Sequence, residues 1–336
     1  NAYFIADDGL ARLTNSGDII ASASAAGGVG NSYAAVVRGA FGSTLSNSGH
    51  IMAETEADDA QATGALLVSF YGAASIQNSG IIQAVAEGDL ASATGAGAIG
   101  LAGSGVSVAN TGQIIAAAYG ERAPAAAVMV DSNSTHELVN SGSIRALGDG
   151  ERIAISSEGA ATADLQNTGT IIGSIQTGDL DDRLVNGSGG KWYALGTSNF
   201  GAGNDTVNNL AGGLIDVDSG AVISFGDGND TITNHGTFRL AGGTVTMGAG
   251  TNAFTNVAII KVLGTSAVDV GAAGTLTNIG AIDFLDGATD DKLTVIGTLA
   301  GAGVLNLDLN LLNSTVDQLV VTGNVAANAV QTVNVL

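Results

Sequence analysis

The segment LSNSGHI, Leu45–Ile51, is one copy of a pattern that recurs along the chain. An apolar residue, a spacer and an asparagine are followed by a small residue and a glycine. A further apolar residue stands two places beyond. The same marker asparagine is Asn15 in LTNSG, Asn78 in IQNSG, Asn110 in VANTG, Asn140 in LVNSG and Asn167 in LQNTG. It returns as Asn234 in ITNHG and Asn278 in LTNIG, and as Asn256 with Ala258 in the glycine place. Asn186 and Asn209 carry longer turns, LVNGSGG and VNNLAGG. The apolar residue after the turn is Ile19, Ile51, Ile82, Ile114, Ile144, Ile171, Phe238 or Ile282. Flanking Leu, Ile and Val favour strands, and both Gly and Asn tolerate positive φ in a turn. The unit therefore reads strand, turn, strand. No capped i, i+3, i+4 apolar stripe competes with that reading.

The markers are 19 to 32 residues apart. A strand-and-turn unit of that length predicts one coil of a parallel β-helix, each coil pairing with the next about 4.8 Å away. A coil cannot bury its apolar face alone, so stability comes from its neighbours. The asparagines should form a ladder and the isoleucines a continuous core. The expected fold is all-β, a right-handed parallel β-helix of roughly 13 coils, on the order of 60 Å long, with a C-terminal cap. The expected organisation is a repeat array over 1–285, with longer coils over 1–167 and shorter ones over 168–285, then a cap region over 286–336.

Composition agrees with stacked turns. Of 336 residues, 51 are Gly and one is Pro, and only 12% are charged. That is about half the usual charged fraction. The net charge is −21, from 31 acidic and 10 basic residues. Such a balance argues against nucleic acid and against anionic lipid as partners. The absence of cysteine excludes disulfides and thiolate metal sites and suits passage through an oxidising periplasm. No run of eighteen apolar residues predicts a membrane-spanning helix. The start, NAYFIADDGL, is not a signal peptide, so the expectation is a processed or excised chain.

The longer coils carry their surplus just after the post-turn strand: AAGGVGNS (25–32), ETEADDAQATG (54–64), AEGDLASATG (86–95), YGERAP (119–124) and GDGER (148–152). Insertions at one position of a solenoid emerge on one face. A row of acidic loops is expected there, with Asp58, Asp59, Glu87, Asp89, Glu121, Asp149 and Glu151 as the candidate binding surface. The competing reading is that these acids keep a rod soluble and prevent lateral stacking.

The decapeptides FGAGNDTVNN (200–209) and FGDGNDTITN (225–234) approach the G-G-x-G-x-D-x-U-x repeat of calcium-binding RTX proteins, with Phe for the first Gly. Asp205 and Asp230 are the weak calcium candidates. Both segments end on marker asparagines, and a third, MGAGTNAFTN (247–256), carries Asn252 where the others carry Asp. The copies are 25 and 22 residues apart rather than in immediate succession, so the favoured reading is a structural corner with no cofactor.

The last fifty residues contain two Asp-x-Leu-x-Val-x-Gly segments, DKLTVIG at Asp291 and DQLVVTG at Asp317. With the N-S-G-x-I and F-G-x-G-N-D-T repeats, they make most of the chain resemble the passenger domains of bacterial autotransporters (type V secretion) of the pertactin-like type. The resemblance implies export through the periplasm and outer membrane to the cell surface, and an autochaperone-like end region. It also implies a following outer-membrane barrel, whose alternating strands do not occur in this sequence. The implied function is adhesion or surface presentation toward host, matrix or neighbouring-cell molecules. The alternatives are a purely structural spacer and a calcium-dependent repeat protein.

No enzyme is expected. His50, His136 and His235 share no motif with a serine or carboxylate, and neither a G-x-S-x-G elbow nor an H-E-x-x-H helix occurs. Trp192, in GGKWYAL, stands where a core isoleucine belongs and is expected to fill the coil.

Overall fold

The computed structural model describes residues 2–6, 9–102, 104–158, 161–327 and 329–336. All regular elements among them are strands. Apart from a short antiparallel pair, Leu309–Asn310 with Thr315–Val316, the strands pair in parallel between equivalent positions of successive repeats, which makes the fold a parallel β-helix. Two compact units divide the chain, Asn1–Gly178 and Asp179–Leu336. No described helix is long and apolar enough to cross a membrane.

In the first unit, the strands that lead into the turns are Ala11–Asn15, Ser43–Asn47, Ala74–Asn78, Val106–Asn110, His136–Asn140 and Ala163–Asn167. They lie side by side with each asparagine opposite the next. Each marker Nδ2 donates to the Oδ1 of the following marker at 2.8 Å, from Asn15 through Asn47, Asn78, Asn110 and Asn140 to Asn167. The same Nδ2 also donates to the carbonyl of the turn glycine, as Asn78 does to Gly80 at 3.2 Å. Every second residue of these strands points inward, and Leu45, Ile76 and Leu165 are buried there. Across the turn, Ile51, Ile82, Ile114 and Ile144 align and are buried.

The turn glycines do a different job from the one their residue type predicts. None of Gly49, Gly80, Gly112 or Gly142 has positive φ. A Cβ on Gly112 would instead overlap the carbonyl oxygen of Gly80, and the same overlap repeats up the stack. Glycine is required by the close approach of one coil's backbone to the next.

The surplus segments also differ from expectation. In the first two long coils the chain continues as single strands, Asp18–Gly39 and His50–Ser69, with a register shift between Ala25 and Val29. Alternation of buried Ala53, Thr55 and Ala57 with outward Glu54 and Glu56 lets 54–64 remain strand rather than loop. The later coils do turn. Ile81–Glu87 and Ser92–Gly100 are separate strands, as are Gln113–Tyr119 and Ala125–Ser132.

In the second unit each complete coil has three short strands. Thr231–Asn234, Thr237–Ala241 and Thr244–Thr246 make up one coil. The marker ladder resumes from Asn186 through Asn209, Asn234 and Asn256 to Asn278, again at 2.8 Å per step. Asn278 then donates to the side chain of Gln331 at 2.7 Å, so a glutamine closes the row. Trp192, Ile215, Phe238, Ile260, Ile282 and Leu305 are register partners in the core, so Trp192 fills an isoleucine place. The two Asp-x-Leu-x-Val copies stack on each other, with Leu293 opposite Leu319 and Val295 opposite Val321. Their aspartates link too: Asp317 Oδ1 accepts the Asp291 N–H at 3.1 Å.

Candidate functional site

Register decides which acids meet in the first unit. Ser24, Glu56 and Glu87 are successive partners on adjacent strands. Just beyond, the chain turns, and the Leu90 N–H donates to the Asp58 carbonyl at 2.9 Å. Glu56, Asp58, Glu87 and Asp89 thereby border one open groove of about 310 Å³, whose opposite rim is Ser24, Ala25 and Ala26. Like charges on directly opposed residues, as at Glu56 and Glu87, disfavour folding. Together they create a negative field that draws cations and cationic groups.

The row continues at the following turns. The Arg122 N–H donates to the Asp89 carbonyl at 3.1 Å, next to exposed Glu121, and Asp149 Oδ2 accepts the Gly120 N–H at 3.3 Å. Asp59 is half-buried opposite Val29 and lies off the groove. Glu151 is exposed where the next strand begins, its carbonyl accepting the Ala125 N–H. Three of the seven expected acids, Asp58, Glu87 and Asp89, thus share the groove. Glu56 is its additional member.

The glycine corners of the second unit hold two hydrogen-bonded rows that run in opposite directions. On the outside, Asp181 Oδ1 accepts from Asn204 N–H at 2.7 Å, Asn204 Oδ1 from Asn229 N–H at 3.0 Å, and Asn229 Oδ1 from Thr251 N–H at 2.8 Å. On the inside, Asp205 Oδ1 accepts from Asp182 N–H at 2.8 Å, Asp230 Oδ1 from Asp205 N–H at 3.0 Å, and Asn252 Oδ1 from Asp230 N–H at 2.9 Å. This accounts for the paired Asn-Asp in G-x-G-N-D-T. Gly226 has φ of 74°, and a Cβ there would also overlap the Gly201 carbonyl.

Asp205 and Asp230 are fully buried, and the Oδ2 of each has no hydrogen-bond partner. Burial pushes Asp205 up to about 8 and Asp230 up to about 6. Calcium requires six to eight oxygen ligands, with ionised carboxylates among them. Here each coil contributes a single inner carboxylate, and its Oδ1 is already committed to a backbone N–H. Among the described residues, no group of three or more His, Cys, Asp and Glu side chains is placed to hold a metal ion. In this structure each of these inner carboxylates has one oxygen bonded to a backbone N–H and the other enclosed.

A third cluster is one that the sequence does not signal. His136 is buried and bonded on both ring nitrogens: Nε2 to Ser132 Oγ at 2.9 Å and Nδ1 to Ser157 Oγ at 2.6 Å. Ser132 and Ser157 are buried as well. Burial lowers the His136 pKa, against a smaller upward pull from Asp131. A histidine flanked by serines is a nucleophile's usual company. These hydroxyls are enclosed, however, and a substrate does not reach them in this conformation. The four-residue and twenty-one-residue separations match no motif.

Comparison with protein-family models, with curated proteins and with solved structures finds no match to this chain.

Proposed function

We propose that this chain is the passenger stalk of an exported bacterial surface protein of the autotransporter kind, and that it attaches the cell to its surroundings without catalysis. The observation that carries the reading is the groove of Glu56, Asp58, Glu87 and Asp89 on successive coils. Opposed like charges work against the fold, and a surface that keeps them suits recognition of a cationic or cation-bridged partner on a host, matrix or neighbouring cell. The stacked Asp291 and Asp317 motifs support an end region that starts folding in such a passenger. The test replaces the four acids by their amides. These side chains lie outside the core and their mutual repulsion is relieved, so the melting temperature should hold or rise slightly. Salt-sensitive attachment to cells or matrix should be lost. Unchanged attachment across a salt series would instead favour a spacer rod, in which the same charges only keep neighbouring molecules apart.

A further inference from the structure

The inner row of the glycine corners raises a question of chemistry, because four equivalent places hold three aspartates, Asp182, Asp205 and Asp230, and one asparagine, Asn252. The corners are in register, with Ala202 bridged to Asp227 and Asp227 to Ala249. Asn252 shows what the place requires. Its Oδ1 accepts a backbone N–H, and its Nδ2 donates to the carbonyls of Met247 at 2.8 Å, Gly248 at 3.3 Å and Val270 at 3.2 Å. By the repeat, the matching carbonyls are those of Phe225, Gly226 and Met247 for Asp230, and of Phe200, Gly201 and Phe225 for Asp205. A carboxylate has no proton to offer them, and its Oδ2 would be buried against acceptors alone. A carboxylic acid has the shape of the amide and one proton to donate.

We propose that Asp205 and Asp230 are carried as neutral acids that stand in for asparagine, so that residues 179–336 are fastened by protons and loosen as pH rises. The charged groups around them reinforce this. Burial dominates at both sites; the carboxylates of Asp182, Asp230 and Asp181 also favour the proton on Asp205, while the Asp182 N–H on Asp205 and the Asp205 N–H on Asp230 oppose it. Asp227 on the same corner and Arg183 beside Asp182 are both exposed.

The direction follows from proton binding. An unfolded aspartate releases its proton near 3.8, whereas the folded chain holds it to about 6 at Asp230 and about 8 at Asp205. Across that interval the folded state binds more protons than the unfolded state, so stability falls with rising pH. Below 3.8 the full contribution is present. Above about 8 nothing further is lost.

The experiment compares melting temperatures of the full chain between pH 5 and pH 9 with those of Asp205→Asn, Asp230→Asn and the double variant. Comparison at matched pH cancels the contribution of His136. The wild-type chain should lose several degrees relative to the double variant as pH rises, most of it above pH 6 through Asp205. The Asn variants should melt higher at pH 9. Infrared absorption at pH 6, taken on the wild type and the double variant, gives a second readout. A protonated-carboxyl band should be present in the folded wild type beyond any that Asp291 and Asp317, whose pKa burial also raises, leave in the double variant, and it should vanish on unfolding. Absence of that band, a wild-type pH slope retained in the double variant, or failure of the Asn variants to fold would each overturn the proposal. So would a melting temperature that calcium raises and EDTA lowers in the wild type but not in the variants, which would make the corners metal sites.

Discussion

Replacing Asn78 by leucine tests whether the marker row holds the coils together. Asn78 is buried, and its Nδ2 donates to Asn110 Oδ1 at 2.8 Å, Gln113 O at 2.9 Å and Gly80 O at 3.2 Å. Its Oδ1 accepts from Asn47 Nδ2 at 2.8 Å. Leucine is close in size, so the change removes four bonds without opening a large cavity. Asn47 Nδ2 keeps Gly49 O and Ile81 O as acceptors, both at 3.1 Å, which softens the loss below the site. Above it, Asn110 Oδ1 loses the donor that Asn78 supplies. At about 1 kcal/mol for each of the four lost bonds, the expected destabilisation is roughly 4 kcal/mol, within a range of about 2–6. Urea unfolding at fixed pH measures it, and an unchanged slope against denaturant would place the effect in the folded state. Gln77→Leu, on the exposed neighbour, is the control and should stay within about 0.5 kcal/mol of the wild type. Equal costs at Asn78 and Gln77 would mean that the asparagines mark the coils but do not fasten them.

The remaining expectations use the same assays. Gly112→Ala should cost several kcal/mol, about 3 or more, because the new Cβ meets the Gly80 backbone, whereas Gly17→Ala, with open space around it, should be nearly neutral; similar values would refute the close-approach account. His136, whose folded pKa is lowered from 6.5, binds its proton more readily when unfolded. Stability contributed by the neutral ring is therefore present above pH 6.5 and lost as pH falls below it, so between pH 7 and pH 5 the wild type should lose melting temperature relative to His136→Asn at matched pH, against the opposite trend set by Asp205 and Asp230.

The marker asparagines were legible because a ladder repeats one residue type at one place in every coil, and sequence periodicity preserves that. The reason for the glycine beside them was not. Glycine in a turn suggests positive φ, but what excludes a side chain at Gly112 is the backbone of residues 79 and 80, over thirty positions earlier. Residue type reports a constraint without saying whether it is local or comes from the neighbouring coil. The surplus segments failed for a related reason. Gly27, Gly28 and the run of acids after Glu54 look like loop, yet pairing of 18–39 with 50–69 keeps both extended. Glu56 joins the groove and Asp59 leaves it because one step along a strand reverses the face, and that choice follows the register against Glu87.

The inner corner row shows the same limit in chemical form. Asp205, Asp230 and Asn252 align in the sequence, and the alignment alone permits two opposite conclusions. Two charged residues with a tolerated amide would suggest a cation, and two amide mimics beside a true amide would suggest a proton. What separates them is the second oxygen. A ligand carboxylate is freed toward an ion, whereas the Oδ2 atoms of Asp205 and Asp230 are enclosed, without partners, in the place where Asn252 donates. Burial of that oxygen raises the proton affinity, and the surrounding acids raise it further at Asp205. Glycine and aspartate spacing alone therefore does not separate a calcium corner from a proton-holding one; the surroundings of the second carboxylate oxygen do. At these corners the neighbouring coil's N–H has already taken the other.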